Sequence, residues 1–235
     1  MGGSNSDEKI LSYNDVVLRR EDLDILSGPN FLNDRIIEFY FSYLASSNPS
    51  DDILLVPPSI SFWITNFPDK DSLKDFVEPL NLPDKRLVLF PVNDNNDVSV
   101  AAGGSHWSLL VYERKTNLFV HHDSNGGMNK WQARKLYNAV SYAATDAKYI
   151  DFTDSPQQVN GYDCGLYVTA IARVICLWYN EHKNDEQVED NVEDYLWLSA
   201  VKEQVTPSAV ARMRTEILEL IRSLMAANSS GSGHL

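Results

Sequence analysis

One cysteine lies where the chain would stabilise a thiolate. Cys164 follows a turn-rich segment, residues 159–163, and precedes the apolar run from Leu166 to Trp178, which predicts a buried helix. A helix N-terminus offers unpaired N–H groups and the positive end of the helix dipole, and both favour a negative sulfur. We therefore interpret Cys164 as a nucleophile, and the alternative is a buried structural cysteine.

A predicted hairpin upstream supplies a base for this thiol. Residues 106–113 and 118–123 are strand-like, and residues 114–117 between them suit a turn. A turn centred between Arg114 and Lys115 pairs position 106 with position 123, on one face of the hairpin. We therefore predict that Asp123 orients the imidazole of His106, as a carboxylate does in a catalytic triad.

Other histidines compete with His106 as the base. His121 shares the face of Asp123 because side chains alternate along a strand, so it is a rival base. His122 points to the opposite face. For each of them the alternative is an ordinary strand histidine.

An amide upstream of the cysteine is a candidate oxyanion donor. Gln158 could donate to the developing negative charge together with the backbone N–H of Cys164. The adjacent Gln157 has the same chemistry, and the sequence does not separate the two. Cys176, among aliphatic residues of the predicted helix, is expected to be inert packing.

Composition narrows the class of protein. The net charge of −13 argues against a nucleic-acid binder. The two cysteines cannot form a disulfide framework, and no pattern suggests a metal site, so we expect no metal and no cofactor. No apolar run approaches the roughly 18 residues of a membrane helix, and we find no signal-peptide core. We expect a cytoplasmic or nuclear protein.

The predicted elements indicate an α+β fold in which a central helix packs on a small mixed, mainly antiparallel sheet. We expect a disordered segment at 1–9, a single domain at 10–226 in one or two lobes, and a flexible tail at 227–235. The predicted strands are 10–13, 87–92, 106–113, 118–123 and 148–152, and the main predicted helices are 34–45, 58–66, 72–78, 128–145, 164–178 and one from Pro207 onward.

The order His106, Asp123, Gln158, Cys164 resembles the ubiquitin-like-protein-specific (sentrin/SUMO-type) cysteine protease family. The stretch 158–165 matches the family's Gln and Cys-Gly pattern. Within the family the chain is most similar to the deneddylase branch, in the segments 11–13, 31–34, 78–86, 92–95, 101–112 and 122–124. The resemblance implies the adenain-like cysteine protease fold. It also implies cleavage after the C-terminal Gly-Gly of a ubiquitin-like modifier, in precursors or at target lysines.

The resemblance also implies substrate-binding residues. Trp107 matches a tryptophan that covers a narrow diglycine channel, and Phe31 stands where the family has a second tryptophan. Asp34 matches an acid near the modifier's tail, with a helix N-terminal charge as the alternative interpretation. Asn95 belongs to the loop 93–105, which we expect to close over that tail.

The resemblance further implies partners and rival functions. The expected partners are the neddylation modifier and its conjugates, such as modified cullin-type targets, bound by a monomer. A SUMO-specific protease is the main alternative. A non-catalytic binder of ubiquitin-like proteins and an acyltransferase on a related His-acid-Cys core are the others.

Overall fold

A mixed five-stranded sheet lies at the centre of the protein. The computed structural model describes residues 6–67, 70–100, 103–184 and 197–231. The strand order is β3-β4-β5-β6-β7, with the middle two pairs antiparallel and the two edge pairs parallel. A separate antiparallel hairpin, β1-β2, precedes it in the chain.

The described strands are β1 Lys9–Tyr13, β2 Val16–Arg19, β3 Ile53–Leu55, β4 Leu87–Asn93, β5 Trp107–Glu113, β6 Leu118–His122 and β7 Lys148–Asp151. The described α-helices are α1 Arg20–Ser27, α2 Asp34–Ser47, α3 Pro58–Asn66, α4 Lys70–Val77, α5 Lys130–Val140, α6 Cys164–His182, α7 Leu198–Gln204 and α8 Pro207–Gly231. Short 3-10 turns follow α4 and α5.

Both faces of the sheet are covered. Leu89 and Val111 face a core formed with α2, α6, α7 and α8, whereas Phe90 and Leu110 face a second core under α3, α4 and α5. This double burial explains why β4 and β5 are almost continuously apolar. Helix α6 is buried along most of its length, as its apolar sequence predicts. None of the described helices is long and apolar enough to cross a membrane.

The hairpin register differs from the predicted one by two residues. Leu110 pairs with His121 rather than with Phe119, because the turn occupies all of residues 114–117. The Glu113 carboxylate accepts hydrogen bonds from the N–H groups of the turn at 2.7 and 3.0 Å, which stabilises the longer loop. A shift of two residues keeps every side chain on its predicted face.

Some element boundaries also differ from expectation. Strand β2, helix α1 and strand β3 were not predicted, and α5 ends at Val140. The backbone carbonyls of Ser6 and Glu8, in the segment expected to be disordered, accept hydrogen bonds from the start of α1. Helix α8 continues to Gly231, into the expected tail. Residues 1–5 and 232–235 lie outside the described part of the chain.

Candidate active site

The predicted base and its carboxylate meet at the open end of the β5-β6 hairpin. Nε2 of His106 lies 2.7 Å from Oδ1 of Asp123. Both side chains are buried, with exposed fractions of 2% and 5%. His106 precedes β5 and Asp123 follows β6, so the sheet fixes the spacing between the two backbones.

Backbone donors hold Asp123 in its charged form. The N–H groups of Asn125 and Asn129 donate to its two carboxylate oxygens, each at 2.8 Å. Burial acts to raise the pKa of Asp123, but the hydrogen bond from His106 and these two N–H groups outweigh it and lower the pKa. The carboxylate is therefore a permanent anion beside the imidazole at neutral pH.

His106 connects this carboxylate to the thiol. Burial acts to lower its pKa, but hydrogen bonds to Asp123 and to the sulfur of Cys164 outweigh burial and raise the pKa to about 9. Since Nε2 faces Asp123, Nδ1 is the ring nitrogen left for the sulfur. The arrangement favours an imidazolium, which stabilises a neighbouring thiolate.

Cys164 is the first residue of α6 and is fully buried by the surrounding chain. The next residue, Gly165, has no side chain, so Leu32, which precedes α2, packs closely against the start of α6. A Cβ on Gly165 would lie 2.8 Å from the Cβ of Leu32, closer than real side chains approach. The carbonyl of Leu32 accepts a hydrogen bond of 3.1 Å from Nε1 of Trp107. Leu32 therefore joins the nucleophile's helix to the tryptophan.

The structure distinguishes the two candidate oxyanion donors. The side-chain amide nitrogen of Gln157 donates to the carbonyls of Asp123 and Ser155, which uses both of its N–H groups. The amide nitrogen of Gln158 donates to the carbonyl of Asn160 at 2.7 Å and keeps one N–H. Gln158 is therefore the amide with a donor left for a substrate.

The rival base His121 is held by partners other than Asp123 and Cys164. Its Nδ1 lies 2.9 Å from Oδ1 of Asp151 and its Nε2 lies 3.0 Å from Oγ of Ser108, so both ring nitrogens have partners. His122 is buried on the other face, where its Nε2 accepts a hydrogen bond from Trp197. Burial lowers the pKa of His122 to about 3. Neither histidine competes for the role of base.

Cys176 is a free thiol buried on α6, with 2% of its surface exposed. Burial raises the pKa of its thiol to about 12. This environment agrees with the expectation of inert packing.

A groove of about 500 Å³ leads to His106 and brings the candidate substrate-binding residues together. Phe31, Asp34, Asn95 and Trp107 all line it. Its apolar wall includes side chains that are between 44% and 49% exposed: Phe31, Trp63, Val98 and Val100. A surface of half-exposed apolar side chains beside a reactive group indicates a binding site.

The loop 93–105 is fixed at its base beside His106. The Asp94 carboxylate accepts hydrogen bonds from the backbone N–H groups of Ser105 and His106, at 2.6 and 3.0 Å. The amide of Asn95 bonds within the loop, to the carbonyl of Val100 and from the N–H of Asp97. Asn95 therefore shapes the loop as well as lining the groove.

Sequence reasoning missed Asn129, a fully buried residue just before α5. Its side-chain nitrogen donates to the carbonyls of Val92 and His106, while its backbone N–H donates to Asp123. One residue thus holds both members of the imidazole–carboxylate pair. The only signal in the sequence is an asparagine at a helix start, which is typical of ordinary capping.

A buried imidazole between a carboxylate and a thiol at a helix start defines a cysteine hydrolase. Residues 30–207 match the family model described as the Ulp1 protease family, C-terminal catalytic domain. The chain belongs to this family of cysteine proteases. The family and the α+β protease fold predicted from the sequence are confirmed.

Relatives match nearly the whole chain. "NEDD8-specific protease 1" of Arabidopsis thaliana is 55% identical over 98% of this chain and 100% of its own length. "Sentrin-specific protease 8" of Homo sapiens is 32% identical over 93% of this chain and 98% of its own. The solved structure of the C-terminal Ulp1 protease domain in complex with Smt3, the yeast orthologue of SUMO, has the same fold, with a TM-score of 0.63. The match has 20% sequence identity and covers 94% of this chain and 90% of that domain.

Proposed function

We propose that the protein cleaves after the C-terminal Gly-Gly of NEDD8, both in its precursor and in conjugates with target lysines. The observation that carries the proposal is the buried contact of His106 with Asp123 and Cys164 at the end of an apolar groove. Long similarity to a relative named for NEDD8 supports this modifier rather than SUMO.

The first half of the proposed reaction forms a thioester. The sulfur of Cys164 attacks the carbonyl carbon of the terminal glycine. Its backbone N–H and the remaining N–H of Gln158 stabilise the oxyanion. The C–N bond then breaks, and the leaving amine takes its proton from the imidazolium of His106.

The second half returns the enzyme to its starting state. His106, now neutral and still oriented by Asp123, takes a proton from water. The resulting hydroxide attacks the thioester, the C–S bond breaks, and the sulfur leaves as a thiolate paired with the imidazolium. No other group is needed to balance the protons.

The groove explains how a diglycine tail could be selected. Trp107, held by its hydrogen bond to Leu32, lines the groove and would form a fixed cover over the tail. A residue with a Cβ would collide with such a cover, whereas glycine passes. Phe31 lines the entrance without an indole N–H, and the exposed carboxylate of Asp34 suits an arginine of the tail.

We further propose that the physiological partners include modified cullin-type targets, that the protein acts as a monomer, and that it works in the cytoplasm or nucleus. A reducing compartment keeps a working thiol free. The net charge of −13 favours association with basic surfaces on such partners.

Electrophilic probes built on NEDD8, SUMO and ubiquitin test the proposal. We expect the NEDD8 probe to form a covalent adduct at Cys164 faster than the other two. Preferential labelling by the SUMO probe would overturn the choice of modifier and support the SUMO-specific alternative.

The catalytic assignment has its own control. Cys164→Ala should abolish both the adduct and hydrolysis of a NEDD8–fluorophore substrate, whereas Cys176→Ala should retain both. Binding of the NEDD8 probe without an adduct would indicate a non-catalytic binder.

A further inference from the structure

A buried ion pair lies directly beside the nucleophile. The carboxylate of Asp163, the residue before Cys164, accepts a hydrogen bond of 2.8 Å from Nη2 of Arg214. The two side chains are only 10% and 13% exposed. The other oxygen of Asp163 accepts from the amide of Asn160 at 2.7 Å, so the carboxylate is fully engaged.

Arg214 also holds a second part of the site. Its guanidinium donates to the backbone carbonyls of Ile25, Gly28 and Asn30, at 2.9 to 3.0 Å. These residues lead directly into Phe31, at the groove. Arg214 itself lies on α8, beyond the residues 30–207 that match the family model.

The charge of Arg214 matters because a thiolate develops next to Asp163. An unpaired carboxylate at a buried helix start disfavours a second negative charge beside it. His106 and Asp123 are charged groups on the strand side of Cys164. Arg214 is a cation on the helix side, paired with Asp163.

We propose that Arg214 is a positioning residue of the active site. It neutralises Asp163 beside the Cys164 thiolate, and it holds residues 25–30, which lead into the groove, against the residue that precedes Cys164. This inference rests on the proposed role of Cys164 as the nucleophile. It assigns a part in the reaction to the C-terminal helix.

The test follows alkylation of Cys164 by iodoacetamide as a function of pH, with mass spectrometry to locate the adduct. This reaction needs no modifier, so an error in the choice of modifier would leave the curves unchanged. The variants are R214M, D163N and the double variant. R173M is the matched control, because the Arg173–Glu216 ion pair (2.9 Å) also joins α6 to α8 but is more exposed.

In R214M the unpaired Asp163 should shift the curve to higher pH and slow alkylation at pH 7 roughly tenfold. D163N should shift it to lower pH, and the double variant should return to within about twofold of the parent, because no net charge is left unpaired. R173M should match the parent.

A curve for R214M that coincides with that of R173M would overturn the proposal, as would a double variant displaced as far as R214M. Should R214M fail to fold, D163N decides the matter. Its amide keeps the shape of the carboxylate, and an unshifted curve would then refute the electrostatic role of the pair.

Discussion

Two histidine–aspartate pairs with buried imidazoles lie in or beside the same sheet, and only one of these two belongs to the proposed active site. His106 and Asp123 are 2.7 Å apart, and His121 and Asp151 are 2.9 Å apart. The two distances are similar and both imidazoles are buried, but Asp151 is 23% exposed whereas Asp123 is 5% exposed.

The two pairs differ in the partner of the second ring nitrogen of the histidine. For His106 it is the sulfur of Cys164, and His106 lines the groove of about 500 Å³. For His121 it is the hydroxyl of Ser108, and neither of these residues lines that groove. A serine, a histidine and an aspartate in series therefore do not make a catalytic site without access for a substrate. The comparison predicts that the two pairs respond differently to the same substitutions.

Removing each imidazole should give the largest contrast. His106→Ala is expected to lower kcat about 10³-fold, because it removes the proton carrier and the partner of the thiolate. His121→Ala should leave turnover within about threefold and cost about 1–3 kcal/mol of unfolding free energy, since Asp151 and Ser108 lose a buried partner. Hydrolysis of a NEDD8–fluorophore substrate and urea unfolding measure the two effects. Loss of turnover in a folded H121A variant would contradict the comparison.

Neutralising each carboxylate gives the second contrast. Asp123→Asn should lower kcat on the order of 10²-fold or more, because the amide orients the imidazole wrongly and does not stabilise its charge. Asp151→Asn should change kcat by less than about threefold. Steady-state kinetics on the same substrate compares them, and equal losses in both variants would remove the distinction between the pairs.

The pH dependence of the reaction should reflect the protonation of His106 beside Asp123. Hydrogen bonds to Asp123 and Cys164, working against burial, raise the pKa of His106 to about 9, so the imidazolium that supports the thiolate persists up to that pH. We expect kcat/KM to fall on the alkaline side near pH 9. In D123N this limb should move to lower pH, because the carboxylate that favours the charged form is gone.

The free energy of unfolding should also depend on pH through the protonation of His106. The pKa of His106 is raised above its unfolded value of about 6.5, so its contribution is complete below that pH and is lost as the pH rises towards 9. Unfolding free energies of the parent and of His106→Gln, measured across this window, should converge on the alkaline side. A constant difference would show that the pair does not titrate as described.

The smallest effect is expected at Ser108. Ser108→Ala removes one hydrogen bond from His121 and should cost about 1 kcal/mol of unfolding free energy. Turnover should stay within about twofold. A larger loss of activity would show that the second pair communicates with the first.

The sequence predicted the contact between His106 and Asp123 although the predicted hairpin register was wrong by two residues. Side chains alternate along a strand, so a shift of two residues left His106 and Asp123 on one face. The same alternation placed His121 near them and could not exclude it, because its partners Ser108 and Asp151 come from other strands.

The start of α6 at Cys164 had a local signal, the switch between turn residues and an apolar run. Other parts of the site had none. Asn129 and Arg214 act through backbone carbonyls that are remote in sequence, and a carbonyl is present at every residue. Such contacts depend on how helices pack, which the amino-acid pattern of one helix does not specify.

The close approach of Leu32 to Gly165 limits how the enzyme could be engineered. Leu32 touches the first turn of α6 on one side and bonds Trp107 through its carbonyl on the other. Leu32 also lines the groove, so a substitution there that widens the proposed diglycine channel would disturb the start of α6 as well. Relaxed specificity should therefore come with a displaced sulfur and slower turnover.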